Sequence, residues 1–121
     1  MRGYQDLKVW QLGVEISLEV YRLTESLPQR EIYGLTSQMR RAAVSISSNI
    51  AEGHSREHTK DLIRFLAISR GSVSELETQL IIAEKLGYIQ RQELAIIMSM
   101  LDEESRMLAG LRRSLKLKLS K

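Results

Sequence analysis

The chain has no cysteine, a single proline (Pro28) and few aromatics: one tryptophan, one phenylalanine and four tyrosines among 121 residues. Without cysteine there is neither a disulfide framework nor a thiolate metal site, which suits a reducing cytoplasm. No apolar run approaches the roughly 20 residues that would span a bilayer. The opening Met1-Arg2-Gly3-Tyr4-Gln5-Asp6 lacks the apolar stretch of a signal peptide. A soluble, cytoplasmic protein with no membrane partner is expected. No glycine-rich phosphate loop or Walker pattern is present. The scarcity of aromatics argues against base stacking as a mode of nucleic-acid binding.

Leucine, isoleucine, alanine, glutamate and arginine are abundant instead, a composition that favours helix over sheet. Residues 1–121 are enough for one domain with one core. Periodicity and punctuation predict four helices. The first runs from about Asp6 to Leu27 and stops before Pro28. The second runs from about Gly34 to His54, with residues 28–33 open to an extra turn. The third runs from Thr59, read as its N-cap, to about Leu86, with Gly87 as a left-handed C-terminal cap. The fourth runs from about Gln90 to Leu117. Short connections make successive helices antiparallel neighbours, so the fold class is all-α: an antiparallel up-down-up-down four-helix bundle.

The first helix carries two apolar stripes on nearly opposite sides. Leu7, Trp10, Val14, Leu18 and Tyr21 form one; Val9, Leu12, Ile16, Val20, Leu23 and Leu27 form the other. Gly13, Ser17 and Thr24 lie on one edge between them. A helix at the surface of a bundle needs one stripe. Six exposed apolar side chains would forgo roughly 9 kcal/mol, an upper bound. The Val9–Leu23 stripe is therefore expected to meet another subunit; the alternative is that helices of the same chain wrap both faces. In the third helix, Gly71 beside Ser72 points either to close helix packing or to a cleft. The fourth has Leu94, Ile97, Met98, Leu101, Ser105, Leu108 and Leu115 on one face, with Ile96, Met100 and Met107 as a second, weaker stripe.

Three groups of polar residues are candidates for chemistry. Gln38, Arg41, Ser45, Asn49 and Glu52 lie along one side of the second helix. They are read as a structural polar seam in which Arg41 or Arg40 pairs with a carboxylate such as Glu75. The catalytic alternative makes Glu52 a general base beside Ser45, but no histidine or oxyanion-hole signal accompanies them. No catalytic residue is assigned and no enzyme activity is expected. His54 and His58 are the only histidines; Glu57 could join them, but Gly53 and Thr59 suggest a turn there, and neither a metal nor a cofactor is assigned. Arg56, Lys60 and Arg64, four apart, would make a basic stripe on a continuous helix. With Arg112, Arg113, Lys116, Lys118 and Lys121 they are the candidate nucleic-acid contacts, the alternative being solvated charge balanced by Glu57 and Asp61. The first helix is acidic on balance (Asp6, Glu15, Glu19 and Glu25 against Lys8 and Arg22), so the basic end could instead meet a second copy.

Four blocks of residues carry a resemblance. They are Leu7, Val9, Trp10 and Gln11; Tyr33, Gly34, Leu35, Thr36 and Gln38; the run Arg40 to Gly53; and Gly71, Ser72, Glu75, Leu76 and Gln79. Together they resemble the four-helix-bundle family encoded by intervening sequences of bacterial 23S ribosomal RNA genes. Ser47 departs from the pattern, since the family often has proline there. The resemblance implies a non-enzymatic homo-oligomer, a pentameric ring, and a link to RNA. Related bundle proteins serve as accessory factors to retroelement reverse transcriptases and bind nucleic acid. The partners implied are thus further copies of the chain, RNA or DNA, and a reverse transcriptase or other protein. The alternative is a structural or protein-partner scaffold that binds no nucleic acid.

Overall fold

Each helix boundary has a local cause. In the computed structural model, which describes residues 3–120, the long helices are α1 (Lys8–Thr24), α2 (Leu35–Ser55), α3 (Thr59–Lys85) and α4 (Arg91–Leu119). Short 3₁₀ turns occupy Tyr4–Asp6 and Gln29–Glu31, the second being the extra turn left open above. The start of α2 is capped from outside: Glu31 Oε1 accepts from the Leu35 amide at 3.1 Å, and Glu31 Oε2 accepts from the Tyr88 hydroxyl at 3.0 Å. These two bonds, the backbone one first, hold the Glu31 carboxyl below its ordinary pKa. Gly87 adopts φ +81° and ends α3 as expected; its amide bonds Glu84 O and the Tyr88 amide bonds Ala83 O, each at 2.9 Å. Thr59 is the first residue of α3 rather than its cap, a role His58 takes without a side-chain bond. Gln90 and Glu93 form a reciprocal capping box at the start of α4.

The helices form the expected bundle. α2 packs most extensively on α3, and α1 closes the ring against α4 through the thinnest of the four seams. Antiparallel pairing shows in the bonds that cross it: Ser69 Oγ donates to Ile46 O at 2.7 Å, and Arg112 Nε donates to Ile63 O at 3.2 Å.

The core corrects one expectation. Val9, Ile16, Val20 and Leu23, assigned to an oligomer interface, are buried in the chain's own core with Met39, Ile46, Ile50, Leu66, Leu76, Leu80, Ile97, Leu101 and Leu108; Leu12 is half-buried against the same cluster. Of the opposite stripe, Leu18 and Tyr21 turn outward, 67% and 45% exposed, while Leu7 and Trp10 pack against the edge of the same core. Two opposed stripes of similar hydrophobicity fix the angle between the faces but not which one points in. Packing decides it: Gly13 and Thr24, both buried, flank the inward face and let neighbouring helices approach.

Gly71 supports neither close packing nor a cleft. It is exposed, and a Cβ built on it meets nothing within 4 Å. Gly71→Ala should therefore raise stability by about 0.5–1 kcal/mol, the ordinary penalty of glycine in a helix. An unchanged or lower urea midpoint would mean that this surface is covered in solution.

Candidate functional site

The turn from α2 to α3 sets one end of the molecule. Glu57 takes φ +68°, a left-handed conformation rare for a residue with a Cβ, so the two helices are not continuous. The stripe Arg56–Lys60–Arg64 is broken accordingly. Arg56 stays with α2, where its Nε lies 3.2 Å from Glu52 Oε2 and its guanidinium sits 4.9 Å from the Phe65 ring centroid. Arg64 lies over the same ring at 4.5 Å and pairs with Asp61 at 3.8 Å. Two of the eight candidate cations are thus engaged with acids and an aromatic face.

Arg112 has a positioning role. Its bond to the Ile63 carbonyl lays the end of α4 beside the start of α3. From Arg113 to Leu119, α4 continues for about 10 Å at helical rise. Arg113, Lys116 and Lys118 are exposed on this extension, and Lys60 is exposed at the start of α3. None of these four has an ion pair or side-chain hydrogen bond among the described residues. Lys121 lies outside the described residues.

His54 and His58 border a cavity of about 310 Å³ with Gly53, Glu57, Thr59 and Leu62. Among the described residues, no three histidine, cysteine, aspartate or glutamate side chains are grouped to hold a metal.

The polar seam divides in two. Its inner half forms: Asn49 Nδ2 donates to Ser45 O and Ser45 Oγ at 2.8 Å each, and Ser72 Oγ donates to Ser45 Oγ at 3.0 Å. Its outer half does not: Gln38, Arg41, Glu52 and Glu75 are exposed. Glu52 bonds Arg56 rather than approaching Ser45, so the proposed base and nucleophile are not brought together. Among the described residues Arg40 finds no carboxylate; its Nε donates to Thr24 Oγ1 at 2.8 Å and its guanidinium lies 4.5 Å from the Tyr21 ring centroid. Arg41 and Glu75 line one cavity of about 370 Å³ between α2 and α3, with Gln38, Ala42 and Ser45, yet form no ion pair. A second cavity of about 490 Å³ opens on the other side of the α2 ridge, where Tyr21, Ile32, Val44 and Arg40 line it; Arg41 and Ser45 border both.

Sequence reading passed over Glu104. It is fully buried, and neither carboxyl oxygen has a hydrogen-bond partner among the described residues. Gly13 of α1 makes room for it: a Cβ there would lie 3.2 Å from Glu104 Oε2 and 3.2 Å from Ser47 Cβ. Desolvation, helped by the neighbouring Glu103 charge, pushes the carboxyl up to about 8. The available signal was its register, three residues after Leu101 and four before Leu108, masked by the acidic run Asp102-Glu103-Glu104.

Residues 5–110 match the family model described as the 23S rRNA-intervening sequence protein. The chain belongs to that family. The matched span includes the bundle, the polar groove and Glu104; Arg112 to Lys118 lie beyond it. The fold is also similar to the 1.70 Å crystal structure of a protein with unknown function from the S23 ribosomal protein family of Bacteroides thetaiotaomicron VPI-5482. The TM-score is 0.80 at 23% identity, over 87% of this chain and 95% of that one. No curated protein matches the chain. Among the described residues, no helix is long and apolar enough to cross a membrane.

Proposed function

We propose that this member of the 23S rRNA-intervening sequence family is a non-enzymatic, self-associating accessory protein that binds the backbone of RNA through the basic end of its bundle. The observation that carries the reading is a set of exposed cations at one end of the bundle, Arg113, Lys116 and Lys118 on α4 and Lys60 at the start of α3, flanking the Arg112–Ile63 bond and without an ion pair among the described residues. Cations of this kind favour phosphates irrespective of sequence, and their binding weakens steeply with salt. Self-association is supported by the outward α1 stripe. Leu18 and Tyr21 continue onto exposed Ile32 and Val44 of the neighbouring surface, an apolar area that a second copy would cover. A five-subunit ring, the assembly expected from the resemblance, would repeat a weak site and raise avidity without new contacts.

The test is a salt titration with structured RNA, using the native protein and a Lys60, Arg113, Lys116, Lys118→Gln variant. Four phosphate contacts predict loss of native affinity on the order of a hundredfold between 50 and 200 mM salt, and a shallow salt dependence in the variant. Equal affinity of the two proteins, or no RNA retained at low salt, would leave the scaffold reading in its place. Light scattering on Leu18→Glu,Tyr21→Glu should report a single copy where the native protein reports several; a native monomer refutes the assembly.

A further inference from the structure

The groove between α2 and α3 arranges hydrogen-bonding groups by type. On the α2 wall, Arg41 offers a guanidinium fork, which only donates. Ser45 stands beside it. Its Oγ accepts from Asn49 and from Ser72, which occupies both lone pairs and leaves its own O–H to donate. On the α3 wall, Glu75 presents a carboxylate, which only accepts. Ala42 gives the floor a small apolar surface, and Gln38 closes the remaining side with an amide able to do either. Opposite charges across a cavity of about 370 Å³ ordinarily pair; here Arg41 and Glu75 stay apart and each keeps its full capacity.

A ligand that satisfies both walls needs paired acceptors on one edge and paired donors on the adjoining edge. We infer that the groove between Arg41 and Glu75 is a pocket for an unpaired guanine base. Guanine O6 and N7 match the Arg41 fork, the commonest specific pairing of arginine with a base. Its N1–H and N2–H₂ donors lie on the adjoining edge and match the Glu75 carboxylate. Adenine would set its amino donor against the guanidinium, and neither pyrimidine carries paired acceptors on one edge with paired donors on the next. Recognition by base edges also suits a site without an aromatic platform, since unpaired nucleotides can splay their bases into a protein. This inference rests on the RNA-binding reading for its biological context, but the pocket can be tested without it.

Guanosine, inosine (which lacks the N2 amine) and 7-deazaguanosine (which lacks N7) are titrated into the intact ¹⁵N-labelled protein. Saturable guanosine-induced shifts of the Ala42 and Ser45 amides are expected, with each analogue at least fivefold weaker. Glu75→Ala should make guanosine and inosine equal, and Arg41→Ala should do the same for guanosine and 7-deazaguanosine; both positions are exposed, so the fold is retained. In parallel, uridine-rich single strands carrying one guanine or one adenine are compared. If guanosine shifts the groove and no strand binds, the pocket stands and the RNA reading falls. If strands bind without regard to guanine and guanosine leaves the groove unshifted, the pocket is overturned while the RNA reading survives. A preference for guanosine over inosine that persists in Glu75→Ala, and over 7-deazaguanosine in Arg41→Ala, also overturns it.

Discussion

Glu104→Met is expected to raise the unfolding free energy at pH 8 by roughly 4 kcal/mol, and to remove most of the decline in stability that the native protein shows between pH 4.5 and 8. The buried carboxyl keeps its proton until about pH 8, whereas the unfolded chain releases it near 4.5. Between those values the unfolded state gains from ionisation and the folded state does not. Stability from this group is fully present below pH 4.5, falls by about 1.4 kcal/mol per pH unit, and is lost once pH passes 8. Glu31 acts in the opposite sense: its lowered pKa contributes stability that is lost only as acid protonates the folded carboxylate, so it leaves the alkaline window untouched. Methionine removes the ionisable group and the two unpartnered oxygens while nearly conserving volume. Urea unfolding of both proteins from pH 5 to 9 checks this. Parallel curves would mean that Glu104 has a partner in solution.

Gly53→Ala should lower stability by about 1–3 kcal/mol, although alanine is the better helix former by about 1 kcal/mol. Gly53 is buried where α2 meets the start of α3, and a Cβ on it would lie 2.6 Å from Phe65 Cβ and 3.3 Å from Leu62 Cα. Phe65 Cβ is fixed to its backbone, so relief requires moving one helix against the other, not turning a side chain. The displacement would also loosen the Phe65 ring from beneath Arg56 and Arg64. The contrast with Gly71→Ala makes the measurement informative, because the same substitution in the next helix is expected to stabilise. Equal urea midpoints for Gly53→Ala and the native protein would refute the close approach.

The contrast between those glycines also marks what the sequence could carry. Element number, order and approximate bounds were legible, because a 3.6-residue period, Pro28 and Gly87 each have one local meaning. The orientation of α1 was not: Val9, Ile16 and Val20 compete with Trp10, Val14 and Leu18 on equal terms, and only the three-dimensional fit of Gly13 against Ser47 and Glu104 decides between them. Gly53 and Gly71 look alike in one dimension, yet the first touches α3 and the second touches nothing. The polar seam was half legible for a related reason. Ser45 and Asn49 lie one turn apart and bond locally, as Glu52 and Arg56 do, whereas the partners of Arg40 depended on where Thr24 and Tyr21 of α1 fell. Glu104 was hidden by its surroundings, since a charged run reads as solvated surface even when one member takes a core register.

The seam between α1 and α4 joins the first long helix to the last. A chain made from its N-terminus therefore displays the inward side of α1 while the later helices are still being translated, and shelter for Ile16 and Val20 is complete only once α4 has emerged. Nascent molecules pass through a three-helix stage with an oily flank uncovered. That stage is the moment of greatest exposure to chaperones and to misassembly with neighbouring nascent copies.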